Sequence, residues 1–198
     1  MGFNTKQLEV LAKPINTSRI AKRSQGGKSL SYLEAYDVKA HLIRVCGYGN
    51  FDTELLDYGF VTTREYTSMG DAPRPMVEVI YSARVRLTVR DQHGQFVCTY
   101  TEAACGSASG PAGMLGEHHD NALKTAESDA LKRCAINLGN QFGLSLYDNG
   151  STGDVVRGTL LDVKADSQDE ESNKEDPEAE TVDRVAHSLG ATPVEESA

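Results

Sequence analysis

The sequence MVEVIYSARVRLTVRDQHGQFVCTYTEAA, residues 76–104, predicts a β-hairpin and so indicates the fold class. Apolar and polar side chains alternate along residues 76–90, as is typical of a strand with one buried face. Asp91-Gln92-His93-Gly94 is a turn sequence, and residues 95–104 predict the return strand. We therefore expect an antiparallel sheet whose outward face carries three arginines at the end of its first strand: Arg84, Arg86 and Arg90.

Downstream of the hairpin, the sequence predicts a loop followed by a long helix. Residues 106–116, GSASGPAGMLG, predict a glycine-rich loop. The helix is expected to begin at Glu117 and to end near Gly139 and Gly143. Its apolar residues share one arc of a helical wheel, which predicts a core-facing stripe: Leu131, Cys134, Ala135, Leu138 and Phe142.

Upstream of the hairpin, the sequence predicts two helices joined by a basic segment. Residues 4–13 and 31–46 have helical spacing, and Ser31 with Glu34 would form a capping box on the second helix. The segment between the helices, residues 15–31, is basic and rich in Gly and Ser, which predicts a loop or flexible arm.

These elements predict one α+β domain, residues 1–150, in which an antiparallel sheet carries helices on one face. Residues 51–63 supply a further, less regular strand. After residue 150 the composition changes, and residues 165–181 are too acidic and too poor in aromatics to form a core. We therefore predict that residues 151–198 form a disordered tail. Residues 182–189 have the spacing of a short helix that folds on a partner, although chance also produces such patterns.

The charge of the chain is unevenly distributed. Residues 162–198 contain 12 acidic and 3 basic residues, which accounts for the whole net charge of −9. The remaining chain is neutral overall, and a neutral body can still hold a local basic groove. No signal peptide and no apolar run of membrane-spanning length is present. With scattered cysteines that fit reduced structural thiols, we expect a soluble cytoplasmic protein of a bacterial or phage-infected cell, or a nuclear one in a eukaryote.

Two short motifs resemble functional sites but lack their required spacing. Gly26-Gly27-Lys28-Ser29 resembles the end of a phosphate-binding loop, but Lys22 and Arg23 occupy the candidate positions of its first glycine. His118 and His119 are adjacent, so on a helix they point about 100° apart and do not easily share one zinc ion. We therefore expect no nucleotide, metal or other cofactor, no catalytic residues and no enzymatic activity.

The end of the long helix is the strongest candidate for a functional segment. It reads ALKRCAINLGNQFG, residues 130–143, and places Lys132 and Arg133 away from the apolar stripe. Physical reasoning alone leaves two interpretations open. The two cations form either a binding surface or a solvated face with local Asp129–Lys132 or Asp129–Arg133 pairing, worth a few tenths of a kcal/mol.

The same segment resembles the signature of the Rad fifty-two family of single-strand annealing proteins, which occurs in eukaryotes and in related phage recombination systems. The family helix reads A-x-T-D-[GA]-L-K-R-A-x-x-x-x-G-N-x-x-G, which residues 126–143 match closely. The resemblance extends over residues 14–145 in the right order, through Ser18-Arg19, Gly26-Gly27, Tyr32-Leu33-Glu34, Gly47-Tyr48 and Ala83-Arg84-Val85-Arg86-Leu87. It implies a homo-oligomeric ring and a phage-type homologue.

The resemblance also implies which side chains hold DNA. In the family, the Lys-Arg pair and a tyrosine after the first long helix line an inner groove for single-stranded DNA. The matching positions are Lys132, Arg133 and Tyr48, and Lys124 matches a further family lysine. Asp37, Phe51 and Ile136 stand where the family has Arg, Trp and Arg, and Lys39 is a nearby substitute for the first arginine. Arg84, Arg86 and Arg90, with Arg19, Lys22 and Arg23 on the arm, are candidates for a second, outer DNA contact.

The implied function is ATP-independent binding and annealing of single-stranded DNA in homologous recombination and double-strand break repair. Expected partners are single-stranded DNA, further copies of the chain, and a single-strand-binding protein, exonuclease or recombinase recruited by the acidic tail. The tail could instead shield the groove by competing with DNA. Two alternatives stay open: an oligomeric scaffold without nucleic-acid activity, and a small metal-dependent nuclease, which would need clustered carboxylates.

Overall fold

The computed structural model describes residues 2–25, 27–69 and 72–158. Its first elements are a helix, a short hairpin and a second helix: α1 (Thr5–Ala12), β1 (Ile20–Gln25), β2 (Lys28–Leu33) and α2 (Ala35–Cys46). Three long strands and a long helix follow: β3 (Phe51–Thr67), β4 (Pro75–Arg90), β5 (Phe96–Pro111) and α3 (Leu115–Ile136). The α+β fold with an antiparallel sheet and packed helices is confirmed.

The sheet is ordered β3-β4-β5, and both strand pairs are antiparallel. The predicted alternation on β4 is confirmed, because one set of alternate side chains is buried: Val77, Val79, Ala83, Val85, Leu87 and Val89. Helix α3 lies on this face, where the Cys134 Sγ donates to the Val85 carbonyl oxygen over 3.3 Å. The central strand is therefore covered by a helix on one side and open on the other.

The prediction of a glycine-rich loop at residues 106–116 was wrong. Residues 106–111 continue β5, and α3 begins at Leu115 after a single 3-10 turn. Glycines are needed here for close approach, since a Cβ on Gly106 would lie 2.2 Å from the backbone nitrogen of Ala126. At Gly110 a Cβ would lie 2.5 Å from the His118 ring. The glycines thus allow the helix to pack directly on the strand.

The predicted flexible arm at residues 15–31 was also wrong, because most of it forms a hairpin. Strands β1 and β2 pair in register from Ile20↔Leu33 to Gln25↔Lys28. As a result α2 begins at Ala35 rather than at Ser31, and the predicted capping box does not form. Glu34 occupies the N-cap position of α2 without a side-chain cap hydrogen bond, and its carboxylate accepts a 2.8 Å hydrogen bond from the Tyr32 hydroxyl.

The chain after α3 returns to the N-terminal helix. The predicted apolar stripe is confirmed as core, and the helix ends where predicted, followed by Gly139 and Gly143 with φ of 97° and 87°. Between them, the Asn140 Nδ2 donates to the Ala12 carbonyl oxygen over 2.8 Å, and its Oδ1 accepts from the backbone nitrogens of Val155 and Val156 over 3.1 Å. These bonds fix the end of α3, which carries the Lys-Arg pair.

Residues Met1–Arg157 form one compact unit, and Gly158–Ala198 are grouped separately. The acidic segment at residues 165–181 and the short helical pattern at residues 182–189 lie outside the described residues, so both stay predictions. No helix in the described part of the chain has the length and hydropathy needed to cross a membrane. The four cysteines are free; Cys46 and Cys134 are buried, whereas Cys105 is exposed.

Candidate nucleic-acid interface

Lys132 and Arg133 lie in the last turns of α3, on its side away from the sheet core. The Lys132 Nζ is 2.6 Å from the Asp129 Oδ1, and the lysine side chain is 22% exposed. Arg133 reaches towards β5, where its Nη1 donates to the Ala103 carbonyl oxygen over 3.2 Å. The local Asp129–Lys132 pair therefore exists, but the arginine forms no ion pair within the described residues.

Tyr32 on β2 lies between two cations from different parts of the chain. The Arg23 Cζ is 5.3 Å from the centroid of the tyrosine ring, and the Lys132 Nζ is 5.5 Å from it. Both distances are within the range of a cation–π attraction. The hydrogen bond that Tyr32 donates to Glu34 favours the protonated phenol and raises the pKa of Tyr32 above its ordinary value of 10.0. The ring therefore stays neutral and attracts both cations.

A cavity of about 310 Å³ opens between the β1–β2 hairpin and the end of α3. Its cationic lining comes from Arg23, Lys132 and Arg133, and Asp129 is the acidic lining residue. The other lining side chains include a largely apolar group: Leu30, Leu33, Val38, Ile136, Phe142 and Leu146. A pocket with an apolar floor and a cationic rim suits a ligand that combines a flat apolar body with an anionic group.

The structure does not bring Tyr48, Lys39 and Lys124 to this cavity. Tyr48 is 87% exposed just after α2 and is not a lining residue. Lys39 is exposed on α2. Lys124 pairs with Asp120 on α3 and lies about 12 Å along the helix from Lys132, at 1.5 Å per residue. Their roles in DNA binding remain predictions. For one DNA strand to contact them as well as the cavity, the DNA would have to follow a longer path over the protein surface.

Arg84 and Arg86 project from the open face of the sheet, away from α3. Their guanidinium groups face acids on β3, with Arg84–Asp57 at 3.7 Å and Arg86–Glu54 at 3.2 Å. Two further pairs extend the row on the same two strands, Arg90–Asp52 at 2.5 Å and Arg64–Glu78 at 3.0 Å. The open face therefore carries alternating charge, which reduces its attraction for phosphates compared with three unpaired arginines.

Arg19 stabilises the fold and is poorly placed for an outer contact. Its guanidinium binds the Asp37 carboxylate at 2.8 Å and donates to the Gln141 carbonyl oxygen over 2.9 Å, with only 10% of the side chain exposed. Asp37, one of the departures from the family pattern, is therefore the partner of Arg19 in this chain. At another departure, Ile136 forms part of the apolar wall of the cavity.

The adjacent histidines bind separate partners. A ring nitrogen of His118 is 3.1 Å from the Pro111 carbonyl oxygen, and the His119 Nδ1 is 3.0 Å from the Tyr81 hydroxyl oxygen. Across residues 2–25, 27–69 and 72–158, no group of three or more His, Cys, Asp or Glu side chains is placed to hold a metal ion.

Sequence reasoning missed the grouping of Arg23 and Tyr32 with the Lys-Arg pair. From the sequence alone, Arg23 is assigned to an outer DNA contact and Tyr32 is included in a helix over residues 31–46. A signal for the correct arrangement exists in Ser29-Leu30-Ser31-Tyr32, where polar and apolar residues alternate as in a strand. The Gly-rich surroundings obscured it.

Among solved structures, a minor lipoprotein from Acinetobacter baumannii is similar over 52% of this chain and 80% of its own chain, with 17% identity and a TM-score of 0.29, which is too low to indicate a shared fold. No curated protein matches significantly. Residues 4–158, by contrast, match the family described as "Rad52/22 family double-strand break repair protein". The chain therefore belongs to the Rad52/22 family of double-strand break repair proteins.

Proposed function

We propose that this protein binds single-stranded DNA and anneals complementary strands without ATP, as its part in recombination and double-strand break repair. The observation that carries the proposal is the convergence of Arg23, Lys132 and Arg133 on one cavity. They come from a hairpin strand and a packed helix, and two of them are held by neighbours: Lys132 by Asp129 and Arg133 by the Ala103 carbonyl oxygen. Preorganised cations bind phosphates with little loss of side-chain entropy.

Annealing needs binding and release rather than covalent chemistry. The three cations would replace counterions condensed on the DNA backbone, which makes affinity depend on salt but not on sequence. A second strand can pair with the bases that stay exposed. The segment that resembles a phosphate-binding loop supports independence from ATP, since Lys28 begins a strand of the hairpin rather than a helix.

The edge strand β3 supports self-association into a ring. It is 17 residues long, and its side chains are mostly exposed because α3 covers mainly β4 and β5. Its large exposed apolar side chains are Leu55, Tyr58, Phe60, Val61 and Tyr66. A long apolar edge is a site for pairing with another chain. Because the sheet has β3 at one edge and β5 at the other, head-to-tail pairing of copies would generate a closed ring if the rotation closes.

The proposal also includes the predicted DNA contacts that lie outside the cavity. Tyr48, Lys39 and Lys124 are exposed and available to extend the path of the strand beyond the cavity. Arg84 and Arg86 remain candidates for a second DNA contact on the open face, although each has an acid beside it. Partners recruited by the acidic tail, such as a single-strand-binding protein, exonuclease or recombinase, belong to the proposal as well.

The test is the double variant Lys132→Ala/Arg133→Ala, measured for binding and annealing of complementary oligonucleotides without ATP. We expect binding to fall by at least about tenfold, or 1.4 kcal/mol, with the oligomer preserved in light scattering. The matched control is Lys6→Ala/Arg157→Ala, which removes the same charge from exposed positions outside the cavity. Full annealing by the first variant would refute the site. Oligomers of the wild-type protein without DNA binding would favour the scaffold alternative.

A further inference from the structure

A second cavity, of about 400 Å³, lies between the start of α1, the end of α2 and the β4–β5 turn. It shares no lining residue with the cavity beside Lys132 and Arg133, so the two sites are separate. Its volume is within the range of small-molecule pockets, about 300–1,000 Å³. The polar side chains that line it come from all three elements: Asn4, Lys6, Gln7, Arg44 and Gln92.

The charge of this second cavity is positive and has no internal counterion. Its charged lining residues are Lys6 and Arg44, both exposed, and no acidic side chain is among the lining residues. Neither cation forms an ion pair within residues 2–25, 27–69 and 72–158. The arginines on the open face of the sheet, by contrast, each lie beside an acid. An anionic ligand would therefore meet two cations here without displacing an acid.

Hydrogen bonds hold the walls of this cavity together. The Gln7 Nε2 donates to the Val45 carbonyl oxygen over 2.8 Å and so joins α1 to the end of α2. The β4–β5 turn is held by the buried Asp91, whose Oδ1 accepts 2.9 Å hydrogen bonds from the backbone nitrogens of His93 and Gln95. The carboxylate of Asp91 is therefore engaged within the turn and is not a counterion for the cavity.

Arg44 is held by a neighbour that leaves its charge available. Its Nη1 donates to the His41 Nδ1 over 3.0 Å. Burial, with the nearby Arg19 and Arg44, lowers the pKa of His41 to about 4, so the ring is uncharged at neutral pH. A guanidinium has five N–H donors, and most of those on Arg44 remain available to a ligand. Such a group binds a carboxylate through two parallel hydrogen bonds.

We propose that this second cavity binds an acidic segment of a partner protein, with Lys6 and Arg44 holding its carboxylates. Recognition of acidic motifs by basic clusters is a recurrent mode of peptide binding. The carboxamides of Asn4, Gln7 and Gln92 favour a peptide over DNA, because they both donate and accept hydrogen bonds, as a peptide backbone does. The phosphates of DNA only accept. The inference goes beyond annealing, since it lets the protein hold a partner while the proposed DNA contact stays free.

The first test measures binding of a labelled peptide of alternating Glu and Ser to the full chain by fluorescence anisotropy at low salt. A peptide with Gln in place of every Glu should bind at least about tenfold more weakly, because it lacks the charge. Lys6→Ala/Arg44→Ala should weaken binding of the Glu peptide by at least about fivefold. The matched control, Arg64→Ala/Arg74→Ala, removes the same charge outside the cavity and should bind like the wild-type protein. Absence of binding by the wild-type protein, or equal losses in both variants, would overturn the proposal.

The second test identifies the occupant and needs no variant. A carbodiimide joins an amine directly to a carboxylate in contact with it, and mass spectrometry locates the bond. We expect a cross-link between Lys6 and a Glu of the peptide, and we expect saturating oligo-dT to leave it in place. A cross-link from Lys6 to residues 162–198 instead would assign the cavity to the acidic tail and overturn the proposal. Displacement of the peptide by oligo-dT would assign the cavity to DNA and overturn it as well. Annealing by the wild-type protein is measured separately, so these failures leave the proposed function intact.

Discussion

Gly106 determines how closely α3, and with it the Lys-Arg pair, approaches the sheet. A Cβ at this position would lie 2.2 Å from the Ala126 nitrogen, 2.5 Å from the Ala122 oxygen and 2.8 Å from the Thr125 carbonyl carbon. All three are backbone atoms of α3, so no side-chain rotation relieves the contact. Because ordinary contacts begin near about 3.5 Å, Gly106→Ala requires the helix to move from β5 by about 1 Å.

We expect this displacement to lower both stability and DNA binding. Overpacking of this kind costs about 1–3 kcal/mol, which for a domain of this size lowers the melting temperature by roughly 2–12 °C. The hydrogen bond from Arg133 to Ala103 spans the same helix–strand contact and should weaken, and Lys132 should shift relative to Tyr32 on β2. Thermal denaturation and binding of labelled oligo-dT measure the two effects.

Gly113→Ala is the matched control for this prediction. Its added Cβ meets no atom within 4 Å, and its backbone does not adopt positive φ. We expect it to melt and to bind DNA like the wild-type protein. If Gly106→Ala is as stable as Gly113→Ala, the close contact between helix and strand does not constrain the position of α3, and the reasoning fails.

Three further predictions concern pH, salt and the tail. Burial and the nearby Arg19 and Arg44 lower the pKa of His41 from 6.5 to about 4. The folded state then binds fewer protons than the unfolded state, so stability should fall as pH drops from about 6.5 to 4, by up to about 3 kcal/mol. In urea denaturation, His41→Gln should lose less stability over this pH range than the wild-type protein does. An equal loss in both proteins would contradict the assignment to His41. If Arg23, Lys132 and Arg133 each neutralise one phosphate, a plot of log affinity against log salt concentration should have a slope of about −2 per protomer. In Lys132→Ala/Arg133→Ala the magnitude of this slope should be smaller by about 1.4. An unchanged slope would show that neither cation contacts phosphate. Removal of residues 162–198, which carry the net charge of −9, should strengthen binding at low salt and have little effect at about 1 M salt, where charges are screened within about 3 Å. Unchanged affinity at low salt would rule out shielding by the tail.

The sequence predicts the fold best where one local pattern is strong. The alternation on β4 predicts its buried face correctly, because period-two burial leaves a direct trace in the residue types. Gly106 and Gly110 misled the prediction, since a glycine selected for close packing has the same sequence signal as one in a loop. The β1–β2 hairpin was missed because its strands pair at the surface and contain mainly polar residues.

The candidate site was predictable only in part, for a different reason. Lys132 and Arg133 lie next to each other in a recognisable helix, so the sequence indicates them directly. Arg23 and Tyr32 join them across about 100 residues of chain, because the hairpin lies across the cavity from the end of α3. No local pattern carries that contact. The pairing of Arg19 with Asp37 was hidden for the same reason.

The pairing of charges bears on how a body without net positive charge would hold DNA at the proposed site. On the open face of the sheet, Arg64, Arg84, Arg86 and Arg90 each lie beside an acid, and Arg19 is held by Asp37. Within the described residues, Arg23 and Arg133 form no such ion pair, and both line the cavity with Lys132. Arg23 and Arg133 therefore add cationic side chains to a concave site, where a low-dielectric wall strengthens a local field. Net charge alone argues against nucleic acid, but affinity depends on this local arrangement of paired and unpaired cations.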